Sequence, residues 1–197
     1  MNFIAHLLLS GTHHEVILGN FIGDGVKGDQ YKQYPPNVQK GIALHRLIDD
    51  FTDTHTIVKH SKSLLQPYYN HYSGILVDIF YDYFLTNHWD KYSAVPIQDF
   101  SHTMIQILLK FKPLMPQMPM FFLDYIVKNN RIMDYNKIET IEAVLQGMAR
   151  RTKYTSGMEQ ATTHLKIYHQ ELEADFLTFF PQLRQYTTDY LAVFENA

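Results

Sequence analysis

The chain has 197 residues, 46% of them hydrophobic and 14% aromatic, with a formal net charge of −3 and no cysteine. That length supports one domain spanning 1–197 with a substantial core, and the weak negative charge argues against a general nucleic-acid binder. Lack of cysteine excludes disulfides, thiolate nucleophiles and zinc-finger or iron–sulfur ligation, so carboxylate, imidazole and water would have to hold any metal.

Read in chain order, nearly every segment predicts helix. A short helix at Asn2–Leu9 is followed by others near Glu15–Val26, Asn37–Thr54, Ile57–Tyr69 and Ser73–Trp89. Pro35–Pro36–Asn37 reads as a start signal, with Asn37 as the cap. Pro96 opens Ile97–Phe111, after which Pro113, Pro116 and Pro119 are expected to break the chain in a Met-rich connection. A short helix Phe121–Lys128 follows, then Lys137–Arg150 capped by Asn136, then a long segment Gly157–Phe180. Pro181 begins or kinks a last helix to Phe194. No alternating strand pattern, repeat or linker is evident, which predicts an all-α, single-domain helical bundle. No run approaches the ~18 apolar residues of a membrane span. The apolar run Ile4–Leu9 lacks a basic start and contains His6. A soluble, cytoplasmic chain is the expectation.

Three of these helical segments carry polar groups one turn apart. Asp78 and Asp82 lie in the otherwise apolar and aromatic run Ser73–Leu85, on the stripe that also carries Ile75, Leu85 and Trp89. Like charges repel at that spacing, burying an unpaired carboxylate is unfavourable, and no Lys or Arg lies within a turn. A bound cation is the simplest compensation. His45 and Asp49 fall at the edge of the face carrying Leu44, Leu47, Ile48 and Phe51, and Asn20 and Asp24 repeat the interval. Taken singly, the last two pairs have ordinary explanations. His45–Asp49 reads as a boundary ion pair worth under ~1 kcal/mol, and Asn20–Asp24 as a helix end and turn. Three pairs together predict a metal site between helices. Oxygen and imidazole ligands suit manganese, magnesium or iron better than a structural zinc. Arg150, Arg151 and Lys153 form the best local cationic cluster, at a helix C-terminus where the dipole alone favours them.

In order and spacing, these residues resemble the bacterial acyl carrier protein phosphodiesterases. The resemblance rests on Met1–Asn2–Phe3–Ile4–Ala5–His6–Leu7, Gly19–Asn20–Phe21–Ile22–Gly23–Asp24 and Gly41–Ile42–Ala43–Leu44–His45–Arg46–Leu47–Ile48–Asp49. It continues through Asp53, Asp78–Ile79–Phe80–Tyr81–Asp82–Tyr83–Phe84–Leu85, His88–Trp89 and Gly147–Met148–Ala149–Arg150–Arg151. It implies a helical hydrolase, divergently related to the HD-type metal phosphohydrolases, that uses a divalent cation, usually manganese. The implied reaction cleaves the phosphodiester joining 4′-phosphopantetheine to a serine of holo acyl carrier protein, releasing apo carrier protein and free 4′-phosphopantetheine.

By that resemblance, His6, Asp24, His45, Asp49, Asp78 and Asp82 match the polar positions around the metal centre. Asp24 would orient the attacking water or bind metal, and His6 would bind metal or protonate the leaving serine oxygen. Arg46 would hold phosphoryl oxygens, and Arg150, Arg151 and Lys153 would attract an acidic carrier-protein surface. The resemblance also has departures. Related enzymes carry histidine where this chain has Leu8 and Tyr83, and the His–Asp dipeptide of the HD superfamily occurs nowhere here. Competing readings are a metal phosphohydrolase acting on nucleotides or another small diester, and a helical interaction module with a structural ion. A di-iron bundle would need paired Glu-x-x-His motifs, which are absent.

Overall fold

A computed structural model describes residues 1–129, 132, 134–153 and 155–195 of the chain. Among the described residues, α-helices and short 3-10 turns make up the regular structure, and no strand is present. In chain order the helices are α1 (Phe3–Leu8), α2 (His14–Ile22), α3 (Pro36–Thr54), α4 (Thr56–Tyr69) and α5 (Ser73–Asn87). They continue with α6 (Ile97–Lys110), α7 (Gln117–Asn129), α8 (Ile138–Ala149), α9 (Ala161–Ile167) and α10 (His169–Glu195). The predicted all-α class is what the structure shows.

Helix α5 forms the centre. From Leu76 to Thr86 it is buried at every position except Asp78, with Leu76, Val77, Phe80, Tyr81, Phe84 and Leu85 all at 0% exposure. A helix apolar all round belongs inside. Helix α10 lies against α3, α4 and α5 and brings Phe176, Phe179, Phe180 and Leu183 into the same core. Tyr81 meets Phe176 and Phe179 with ring centroids 5.6 Å apart in both pairs. This burial explains why Pro181 neither begins nor ends a helix but sits within α10. An interior proline costs about 3 kcal/mol. Four fully buried side chains beside it return roughly 1.5–3 kcal/mol each.

Four further expectations are revised. The chain does break at Pro113 and Pro116, between α6 and α7, but Pro119 lies in the first turn of α7, where a missing N–H is tolerated, so helix resumes before Phe121. Pro36 occupies the first turn of α3, and Asn37 is not its cap. The Asn37 amide instead donates to Glu15 at 3.1 Å, tying α3 to α2. Lys137 rather than Asn136 stands at the start of α8, without a side-chain cap. The long segment from Gly157 is divided at Tyr168, whose backbone leaves helical geometry between α9 and α10.

Helices α2 and α3 cross with their backbones in contact. A Cβ on Gly19 would collide with the Val38 carbonyl, and one on Gly41 with the Val16 carbonyl. Only paired glycines permit that approach. It sets Asn20 and the 3-10 turn Gly23–Gly25 directly beside His45.

Candidate metal centre

Three elements converge at that crossing. Helix α1 supplies His6, α3 supplies His45 and Asp49, and the turn after α2 supplies Asp24. Both imidazoles are buried, Asp49 is 40% exposed, and Asp24 stands in solvent at 90%. Asp49 is the hub: its Oδ1 lies 3.2 Å from His6 Nε2 and its Oδ2 lies 3.1 Å from His45 Nε2. Asp24 Oδ1 approaches His45 Nε2 to 3.3 Å from the solvent side. The two imidazole rings stack with centroids 4.3 Å apart. One donor atom from each of His6, His45 and Asp49 lies within 4.8 Å of the others. Gly23 makes room for this, since a Cβ there would run into the His45 ring.

The hydrogen bonds decide what those atoms can do. His45 Nδ1 is 2.7 Å from the Asn20 carbonyl, which can only accept, so Nδ1 carries a proton. The neutral ring therefore turns an Nε2 lone pair toward two carboxylates. Although only 3.1–3.3 Å from their oxygens, that buried nitrogen makes no well-formed hydrogen bond. Either a second proton or a cation must relieve the repulsion. Burial pulls the His45 pKa down, but Asp24 and Asp49 outweigh it and push the pKa up to about 9. Burial likewise opposes ionisation of Asp49, yet His45 and His6 hold its carboxyl well below the usual range. Burial lowers the pKa of His6, so that ring favours its neutral, ligating form. The neighbouring His45 ring lowers the pKa of Asp24. Two imidazole nitrogens and the Asp49 carboxylate converge closely enough to fit a divalent cation, with Asp24 beside His45 on the solvent side.

A family model for acyl carrier protein phosphodiesterases matches residues 1–183. The chain belongs to that family. It is 35% identical over 190 residues to the acyl carrier protein phosphodiesterase of Yersinia pestis, covering 93% of this chain and 95% of the relative. The Yersinia enterocolitica protein of the same name is 31% identical over 194 residues, covering 96% and 98%. The Escherichia coli protein is 28% identical over 186 residues, covering 94% and 96%. No solved structure matches the chain. Membership makes the chain a phosphodiesterase-family hydrolase. No helix among the described residues is long and apolar enough to cross a membrane.

Of the six residues expected around the metal of a phosphodiesterase of this family, four meet here: His6, Asp24, His45 and Asp49. Asp78 and Asp82 are engaged elsewhere. Asp78 accepts from the Met1 amine at 2.9 Å, and Asp82 accepts from the Ile4 and Ala5 amides at 2.8 and 3.4 Å. The cation expected beside Asp78 is thus the chain's own ammonium group. Asp82 is compensated by the positive end of α1. Both brace α1, the helix that carries His6.

Arg46 donates to the Val26 and Gly28 carbonyls at 3.1 and 2.9 Å and lies over the Tyr31 ring. It fastens the loop after Asp24. Arg150 and Arg151 are exposed beyond α8. At the two departures from related enzymes, Leu8 packs on the core and Tyr83 is buried against Phe84 and His169. The four-residue cluster is intact without histidine at either place. Asn20 has a larger role than its one-turn spacing from Asp24 suggested, because it contacts both histidines. The available signal was a lone amide inside the apolar run Val16–Ile22, which calls for buried hydrogen-bond partners.

Proposed function

We propose that this chain hydrolyses the phosphodiester between 4′-phosphopantetheine and the carrier serine of holo acyl carrier protein. The products are apo carrier protein and free 4′-phosphopantetheine. Family membership over residues 1–183 supports the substrate. The convergence of His6 and His45 on Asp49 supports the chemistry. His6, His45, Asp49 and Asp24 hold the divalent cation in this reading. Manganese is the proposed ion, with magnesium or iron compatible with the same donors.

When bound, such a cation offsets charge on the phosphoryl oxygens and makes water a better nucleophile near neutral pH. The chain's own groups do the rest. His6 and His45 are buried and Asp49 is partly exposed, so a diester approaches from the solvent side, where Asp24 stands. Asp24, ionised and solvent-facing, accepts a hydrogen bond from the attacking water and directs it at phosphorus. Arg46 keeps the Asp24 loop in place. The leaving serine oxygen departs toward the open face, where solvent returns its proton.

Purified protein incubated with holo acyl carrier protein and manganese, followed by intact mass, tests the reading. The carrier should lose the 4′-phosphopantetheinyl group and gain one hydrogen, leaving the serine hydroxyl free. An unchanged carrier mass with metal bound would refute it.

A further inference from the structure

Asn20 is completely buried and reaches both imidazoles, one through its side chain and the other through its backbone. Its Oδ1 lies 2.8 Å from His6 Nδ1, and its carbonyl oxygen lies 2.7 Å from His45 Nδ1. Its Nδ2 donates to the His6 carbonyl at 2.8 Å and to Ser10 Oγ at 2.9 Å. Ser10 Oγ in turn donates to the same His6 carbonyl at 2.7 Å.

These contacts allow one arrangement of protons. The His6 carbonyl cannot donate, so the Asn20 group facing it must be the NH2. Ser10 spends its only proton on that carbonyl and is left with lone pairs, so it too calls for an NH2 donor. The amide orientation is therefore set by its partners, and Oδ1 must face His6. An amide oxygen cannot donate either, so His6 Nδ1 carries a proton, and in the neutral ring the lone pair is on Nε2. Reversing the amide would set oxygen against oxygen at the His6 carbonyl.

We infer that Asn20, oriented by Ser10 and the His6 carbonyl, is the positioning residue that holds His6 in the Nδ1–H form and aims its Nε2 at Asp49. The same residue's main chain holds His45 in the matching form. Outer partners of this kind fix the ring and tautomer of a ligating histidine. Here a single residue sets two rings. The inference deepens the metal-centre reading, but the proton arrangement itself belongs to the metal-free protein and can be read without metal or substrate.

The test is nitrogen-15 NMR of the histidine rings in metal-free protein at a pH where His6 is neutral, followed by manganese titration. In the wild type, His6 should show a protonated Nδ1 and an unprotonated Nε2. A neutral His6 protonated at Nε2 would overturn the inference from the wild-type spectrum alone, whatever the variants do. In Asn20→Leu, His6 should shift toward the Nε2–H form, while His45, held by a backbone carbonyl, keeps its Nδ1 proton. Manganese affinity should fall roughly 10–100-fold. A folded Asn20→Leu protein with the wild-type His6 pattern and affinity would also overturn it. Failure of the carrier-protein assay leaves these spectra unaffected, so the two readings fail separately.

Discussion

His45 Nε2 lies 3.1 Å from an oxygen of Asp49, one helical turn further along α3, while its other ring nitrogen is bound to the Asn20 carbonyl. A one-turn pair on a helix surface is ordinarily worth a few tenths of a kcal/mol. This pair differs because both rings that meet Asp49 are buried and one has no other partner at Nε2. Asp49→Asn keeps the shape and removes the charge. Manganese affinity, measured by calorimetry, should fall by more than the roughly 10–100-fold typical of outer-shell losses. Diesterase turnover should fall with it.

Metal-free protein should lose stability in mild alkali. The His45 pKa is about 9 in the folded chain against 6.5 unfolded, so its protonated ring stabilises fully below pH 6.5. That contribution disappears as pH rises through about 9. Its upper bound is about 3 kcal/mol, reduced by solvent around Asp24. The lowered Asp49 pKa describes the same interaction from the acid side, where stability is lost as the carboxylate protonates. Urea melts at pH 6.5 and 9.5 should differ by up to that amount. Saturating manganese should remove the alkaline loss, because the ion replaces the proton.

Asp82 separates a brace from a ligand. Asp82→Ala leaves two buried amides of α1 without an acceptor and should cost about 2–4 kcal/mol in urea unfolding. Asp82→Asn keeps one acceptor and should cost about 1 kcal/mol, with manganese stoichiometry unchanged. Burial pushes the Asp82 carboxyl up to about 7, against the pull of the Ile4 amide. Its folded pKa exceeds the unfolded one, so this group makes stability fall as pH rises from about 4 to 7. Asp82→Asn should flatten that slope. Loss of metal from a folded Asp82→Asn protein would restore Asp82 to the ligand set.

The glycines at the crossing should divide by what they touch. At Gly41 an added Cβ meets the backbone of α2, which cannot yield, so Gly41→Ala should lower the thermal midpoint sharply or prevent folding. At Gly23 it meets the Cβ, Cγ and Cδ2 atoms of His45 rather than backbone, so the displacement falls on the metal-site side chain. Gly23→Ala should fold, with a far-ultraviolet dichroism spectrum like the wild type, and bind manganese weakly. Equal loss of fold in both would contradict this division.

Helix content, the helix boundaries as far as α8 to within a few residues and the one-turn pairing of His45 with Asp49 were all legible in the chain. Each depends on neighbours within a few residues and on a fixed rotation per residue. The same periodicity placed Asp78 and Asp82 correctly on one helix and established that they needed compensation. It carried no information about what would supply it. The Met1 amine and the start of α1 reach those carboxylates from more than 70 residues away in sequence. Proline gave the least reliable signal, because its local cost of about 3 kcal/mol at Pro181 is outweighed by the aromatic packing of α10. Tertiary structure alone brought His6 to Asp49 and turned Asn20 from half of a polar pair into the support of two rings. Spacing along a helix sets an angle about its axis; which other helix occupies that direction depends on how closely backbones approach, and here Gly19 and Gly41 decide it.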